Sequence, residues 1–282
     1  MPVGVVIPVH GWAPYLAEAL DSVLAEAPAA VVVVDDGSAE PVALHPSFAG
    51  RVALVRREEQ GGAGAARDSG VAALPEDVDL IAFCDADDAW EPGSLAVRVR
   101  ALADAGAEVA GCFGRARIVG PDGRETGERW PEPQAGPLDP VALYEANPIP
   151  TSSVVLRRSS YAGFDPRFRL AEDWDLWLRS GPLVCVPDAV VRYRRHPGGV
   201  TADVGETARA TAAVHEEHRG RVPATVAERV VAADRAALAA GLVRERRYAE
   251  ARRRLPRGAR RAALAVPGLR ALAGRRDPYR PR

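Results

Sequence analysis

The sequence predicts an α/β protein in which a mostly parallel mixed sheet is flanked by helices and followed by a helical C-terminal extension. Three observations carry this expectation. Short, nearly continuous apolar runs alternate with helical spacing through the first 90 residues, the rhythm of βαβ units whose sheet is covered on both faces. Those runs stop at acidic or glycine-rich clusters, the place where ligands gather beyond the strand ends of such sheets. From about residue 205 the chain becomes Ala- and Arg-rich and carries none of the candidate chemistry.

Taken in order, residues 3–9 form an apolar first strand, and in residues 14–26 Leu16, Leu20, Val23 and Leu24 fall on one helical face. Residues 30–34 make a second buried strand that ends at Asp35-Asp36-Gly37-Ser38, and residues 52–55 a third. The turn QGGAGAARDSG opens a helix expected to reach Leu74, and residues 80–84 form the strand that delivers Asp85, Asp87 and Asp88. After Pro92 a helix to about Ala105 precedes a strand over 109–119. Residues 121–140 are polar and rich in Pro and Gly, which predicts an exposed loop or lid. Residues 151–156 predict another strand. In LAEDWDLWLRS, Trp174, Trp177 and Leu178 share a helical face, with Glu172 and Asp173 in the first turn, where the helix dipole favours carboxylates. Residues 183–186 and 190–194 predict two further strands leading to RRHPGGVT. The shift in composition places a boundary near Val204, between a domain of residues 1–204 and an extension of residues 205–282.

At 282 residues and 47% hydrophobic, the chain can bury a full core. All 37 basic residues are Arg and none is Lys. This excludes a Walker P-loop lysine, a pyridoxal Schiff base and any lysine base. Cys84, Cys112 and Cys185 sit singly in apolar stretches and read as buried reduced thiols. No run approaches the roughly 20 apolar residues of a membrane span, and no secretory signal opens the chain, so the expectation is a soluble cytoplasmic protein. Residues 241–282 hold 14 Arg against 3 acids, a net of +11, which leaves −12 on the first 240 residues to give the overall −1. A basic tail of this kind suits an anionic surface. The expectation is peripheral contact with the inner face of a membrane and no nucleic-acid partner, with a solvated helical appendage as the plainer alternative.

Asp85 and Asp87 follow a buried strand two residues apart, so alternation projects both carboxylates the same way. Hard cations such as Mg²⁺ or Mn²⁺ prefer that setting. The pairs Asp77/Asp79 and Asp173/Asp175 repeat the pattern but do not directly follow such a strand. A turn or capping role is the plainer account of any of these acids. Taken together and in order, VVIPVHG, VVVVDDGS, GGAGAARDSG, FCDADDAW, TSSVVLRRS, AEDWDLWLR and YRRHPGG resemble the family 2 glycosyltransferases, whose fold is GT-A, over roughly residues 3–200.

The resemblance implies a nucleotide diphosphate sugar as donor and a divalent metal, Mn²⁺ or Mg²⁺. By the same resemblance Pro8, Val9 and His10 line the nucleotide pocket, and Asp36, with Asp35 beside it, bonds the base. Arg67 lies near the nucleotide end of the donor, in Ala66-Arg67-Asp68-Ser69-Gly70, where Asp68 replaces the family's Asn. Asp85 contacts the ribose, Asp87 binds the metal, and His196 approaches the metal or the diphosphate. Asp173, next to Glu172 in the substrate site, is the base that takes the acceptor's proton, and attack opposite the leaving group inverts the anomeric centre. The chemistry is coherent: a departing diphosphate gathers negative charge that a cation stabilises, and a hydroxyl attacks better as a carboxylate removes its proton. Arg194 and Arg195 could neutralise phosphate oxygens.

Competing readings fit less well. An NAD-binding enzyme needs its Gly-rich turn after the first strand and a small residue where Arg67 stands. A receiver domain and a sugar-phosphate nucleotidyltransferase both resemble families that need Lys. His215 and His218 are three residues apart, against four in a zinc-protease helix. A catalytically silent nucleotide-sugar-binding relative stays open. The sugar, the base and the acceptor, whether a glycan, a lipid-linked or a small-molecule hydroxyl, also stay open.

Overall fold

Every residue of β1 (Val3–Val9) is buried, because this strand lies at the middle of a parallel array whose two faces are both covered. β2 (Ala30–Asp35), β3 (Ala53–Arg56) and β4 (Leu80–Phe83) complete that array, with β2 and then β3 on one side of β1 and β4 on the other. The crossovers are α1 (Leu16–Ala25) and α2 (Ala63–Ala73). The expected face of α1 is the buried one, with Leu16, Leu20 and Val23 in the core. α2 approaches the sheet so closely that a Cβ on Gly70 would lie 2.3 Å from Val6 Cγ1, which is why glycine stands there. The computed structural model describes residues 1–132, 136–196, 198, 204–244 and 250.

Beyond β4 the sheet becomes mixed. β5 (Ala89–Trp90), β6 (Gly111–Val119), β7 (Glu125–Trp130), β8 (Gly136–Pro137), β9 (Val155–Arg157) and β10 (Leu183–Arg194) extend it, in the order β3-β2-β1-β4-β9-β6-β10-β5. β7 pairs with β6, and β8 with β10. β6 and β10 are parallel, whereas β9 runs antiparallel to both β4 and β6. The reversal has a positional consequence: the start of β9 lies at the carboxyl end of β4, beside the first residues of β6. α3 (Ser94–Asp104), α4 (Pro140–Glu145) and α5 (Glu172–Ser180) cover this half.

Several local expectations change. Within residues 121–140, expected as a loop or lid, β7 forms an antiparallel ribbon on β6 and β8 adds a short pairing to β10. The exposed run of β7 disguised it, since a strand with one edge and both faces near solvent shows no apolar alternation. Residues 151–153 are a 3-10 turn, and the strand expected from 151 begins at Val155. The two strands expected over 183–194 are one strand, β10, with an irregularity in its pairing to β6 between Cys185 and Val190. In α5 the buried apolar residues are Trp174, Leu176 and Trp177, so Leu176 takes the place expected for Leu178.

The chain divides into two compact units, Met1–Gly199 and Val200–Arg282. In the second, α6 (Val204–His218) and α7 (Ala224–Arg244) are joined by a hydrogen bond between His215 Nδ1 and Asp234 Oδ2 at 2.8 Å. Most of the basic tail, at 245–249 and 251–282, lies outside the described residues, as do Pro197, Gly199, Val200 and Thr201 of the RRHPGGVT motif. Among the described residues no helix is long and apolar enough to cross a membrane. The three cysteines are buried, and none of them is in a disulfide.

Candidate active site

The carboxyl edge of the parallel array collects the predicted groups because β1, β2 and β4 end together there: Val9 pairs with Asp35, and Cys84 N donates to Val6 O. Pro8 and Val9 belong to the buried strand itself. His10, the first exposed residue, donates from Nδ1 to Asp36 O at 2.9 Å. Asp35 is 1% exposed, and its carboxylate accepts from Ser38 N, Val42 N and the Arg56 guanidinium. Asp36 is equally enclosed, taking Gly61 N at 3.0 Å, Gly62 N at 2.7 Å and an ion pair with Arg57 at 2.8 Å. The two acids thus fasten the end of β2 to the glycine-rich turn. Gly37 makes the approach feasible: at φ +67° a Cβ would stand 2.6 Å from Gln60 N.

Arg67, on α2, is the buried centre of the site. Its Nη2 donates to Asp85 Oδ1 at 2.6 Å and its Nη1 to Glu172 Oε1 at 2.8 Å, so one guanidinium joins the end of β4 to the start of α5. Phe83 and Phe164 rings lie 5.9 and 5.6 Å from it. Burial pulls the Arg67 pKa down, but Asp85 and Glu172 more than offset this and hold the cation in place. The carboxylic partner behaves differently. Burial pushes Glu172 up to about 7, because the single guanidinium shared with Asp85 does not outweigh it and Asp173 adds a like charge. Asp68, at the Asn position of the motif, accepts from Tyr161 Oη at 2.5 Å and Phe164 N at 3.1 Å, which ties α2 to the segment before α5.

The three aspartates after β4 separate into different surroundings. Asp85 and Asp87 keep 29% and 36% of their side-chain surface open. Asp88 is enclosed, with Ser152 Oγ donating to it at 2.5 Å and Arg194 N at 2.9 Å. Burial first, then Asp85 and Asp87, raise the Asp88 carboxyl well above the usual range. Asp87 Oδ2 lies 3.0 Å from His196 Nε2, and its pKa rises through burial and Asp85 in spite of the His196 hydrogen bond. Among the described residues no group of three His, Cys, Asp or Glu is arranged to hold a metal ion. Mg²⁺ is commonly bound through one or two carboxylates with substrate phosphates supplying the rest, and the open Asp87 with Asp85 and His196 beside it fits that donor set.

Arg194 is a staple. It is buried over the Tyr15 ring at 4.2 Å, donates from Nε to Asp87 O at 2.9 Å, and pairs with Glu18 at 2.6 Å. Arg195 is solvated and pairs with Glu128 at 2.6 Å. Of the pair, then, Arg194 is turned to the protein and Arg195 to its surface neighbour Glu128.

Asp173 stands in the first turn of α5, preceded by Ala171 in the left-handed region at φ +59°. Its Oδ1 accepts from Trp174 N at 2.7 Å, and its Oδ2 from Thr151 Oγ1 at 2.7 Å and Asn147 Nδ2 at 3.4 Å. Asp175 pairs with Arg179 at 2.7 Å and is structural. Four residues that sequence reasoning passed over enter here: Asn147, Thr151, Ser152 and Tyr193. The Tyr193 phenol is raised by burial and then by the charges of Asp88, Asp85, Asp87 and Asp173. The signal for Thr151 and Ser152 was three consecutive hydroxyl residues after Pro150, a turn composition hidden by the apolar run that follows.

The sheet brings its acids to the carboxyl edge, Arg67 ties them to the carboxylate-bearing start of α5, and comparison with known proteins gives the family. The profile described as glycosyl transferase family 2 matches residues 4–163, and the chain belongs to that family. An uncharacterized protein of Mycobacterium tuberculosis, Rv1520, is 31% identical over 202 residues, covering 66% of this chain and 56% of that protein. The chain thus spans about half the length of the curated relatives it matches. The succinoglycan biosynthesis protein ExoW of Rhizobium meliloti is 39% identical over 70 residues, 23% of this chain and 22% of ExoW. In fold, the chain is similar to the crystal structure of S. aureus TarS 1-349 in complex with UDP-GlcNAc, with a TM-score of 0.63 at 16% identity, over 84% of this chain and 72% of that one.

Proposed function

We propose that the protein is an inverting, metal-assisted glycosyltransferase that moves a sugar from a nucleotide diphosphate sugar to an acceptor hydroxyl. The observation that carries this is the Asp85–Arg67–Glu172 ion-pair chain, which ties the open carboxylates after β4 to the turn of α5 that presents Asp173. UDP-GlcNAc bound in the similar fold of TarS supports a sugar nucleotide as donor. In this reading Asp36, with Asp35 beside it, bonds the base in a pocket lined by Pro8, Val9 and His10. Asp85 meets the ribose. Asp87 and His196 hold the divalent cation, Mn²⁺ or Mg²⁺, which when bound stabilises charge on the departing diphosphate. Asp173 accepts the proton of the attacking hydroxyl as the new bond forms. Attack from the side of α5, opposite the leaving group, inverts the anomeric configuration. The part of ExoW in succinoglycan biosynthesis favours a glycan acceptor.

Thermal shift with UDP, GDP, dTDP, CDP and ADP, each with Mn²⁺, Mg²⁺ or chelator, tests the donor side, since a ligand specific for the native state stabilises it. One nucleoside diphosphate raising Tm only with metal is the expected result. No shift with any of them would sink the reading.

A further inference from the structure

Residues Thr151, Ser152 and Ser153 form one 3-10 turn, and each hydroxyl bonds beyond the turn to a different element. Thr151 Oγ1 donates to Asp173 Oδ2 on α5 at 2.7 Å. Ser152 Oγ donates to Asp88 Oδ2 at 2.5 Å and accepts from Asp85 N at 2.9 Å, so it holds the loop after β4 at two points. Ser153 Oγ lies 3.3 Å from Gly114 O on β6, besides a 2.7 Å bond to Pro150 O within the turn. The carbonyl of Ser152 takes Trp90 Nε1 at 2.7 Å and Arg98 Nη1 at 3.5 Å. Arg98 is fully buried and stacked at 4.4 Å from the Trp90 ring. Ser152 and Ser153 are fully buried and Thr151 nearly so. A hydroxyl enclosed this way has a fixed rotamer, and its hydrogen bond to a carboxylate is of the strong, charge-assisted kind. The turn can stand here because β9 runs antiparallel and begins at the edge where β4 ends, beside the first residues of β6.

We infer that the 151–153 turn is a positioning clamp that sets the distance between the two halves of the site, with Thr151 aiming the Asp173 carboxylate and Ser152 holding the carboxylate loop that meets the donor. This rests on the glycosyltransferase reading above. Neighbouring residues of one rigid turn hold the base and the donor loop, so neither half can shift without the other. The two hydroxyls nevertheless act on different steps. Thr151 touches the acceptor side and governs the chemical step, where a displacement of about 1 Å can cost about a hundredfold. Ser152 touches the donor side and governs binding.

The test separates these effects. Turnover is read as nucleoside diphosphate released from UDP- and GDP-sugars, and donor-site affinity by titration with UDP and GDP in Mn²⁺. Thr151→Val is expected to lower kcat by about tenfold or more with nucleotide affinity unchanged, and Thr151→Ser to recover most of kcat. Ser152→Ala is expected to weaken nucleotide affinity by about tenfold. A merely structural role would instead lower Tm and move both readouts together in both variants, and that pattern would overturn the clamp. Wild-type kcat in Thr151→Val, alongside an inactive Asp173→Asn, would overturn it while leaving the base assignment standing. Full turnover in Asp173→Asn would overturn the base assignment and the role of Thr151 with it.

Discussion

Asp85, Asp87 and Asp88 have one side chain and three environments, and their expected roles divide accordingly. Asp87 is open beside His196, so Asp87→Asn should lower turnover by about a hundredfold or more, the usual loss when a group aimed at leaving-group charge is removed, with Tm little changed. Asp88 is buried and bonded to Ser152 and Arg194; its loss should show first in stability. Glu172 offers a pH signature. Its folded-state pKa of about 7 lies above the ordinary value of 4.5, so between those values the folded protein binds more protons than the unfolded one. Stability linked to this group is therefore present at low pH and falls as pH rises toward about 7. Tm measured from about pH 5 to 8 should decline in the wild type relative to Glu172→Gln, and a constant difference would show that Glu172 does not titrate in that range. At this scale the strand-end acids were legible because an apolar run that stops at carboxylates marks the end of a buried strand. The opposed fates of Arg194 and Arg195 were not, since two adjacent arginines differ only in what the neighbouring β7, Glu18 and Tyr15 offer them.

The elements divide by how local their cause is. α1 was readable because its apolar positions recur with the helical period, and Leu20 is fully buried where the pattern puts it. Leu20→Ala should cost about 2–5 kcal/mol in denaturant unfolding. α5 begins after Ala171, a non-glycine residue at φ +59°, a conformation in which a Cβ is disfavoured by about 1–2 kcal/mol. Ala171→Gly should thus stabilise the fold by about 0.5–1 kcal/mol after the greater freedom of an unfolded glycine is counted, read as a small rise in Tm. β7 and the 151–153 turn escaped the sequence reading for the reason that they answer to partners far along the chain. β7 exists through its pairing with β6, and the turn through hydroxyl bonds to α5, β6 and the loop after β4.

For the molecule as a whole, charge separates along the chain, with a net of +11 on residues 241–282. If that tail meets an anionic membrane, the full-length protein should bind vesicles containing anionic lipid at low ionic strength and release them as salt screens the attraction. Deleting residues 241–282 should abolish binding, and unchanged binding would remove the membrane proposal. The sequence by itself determined the α/β class, the acids at the strand ends and the family, because apolar periodicity and short motifs are written in consecutive residues. The tertiary structure decided which acids stay open, which arginine is a staple and which hydroxyls aim Asp173 and hold Asp88. Those outcomes depend on burial and on bonds between residues such as Arg67 and Glu172, 105 positions apart, and no local pattern records a contact that only folding creates.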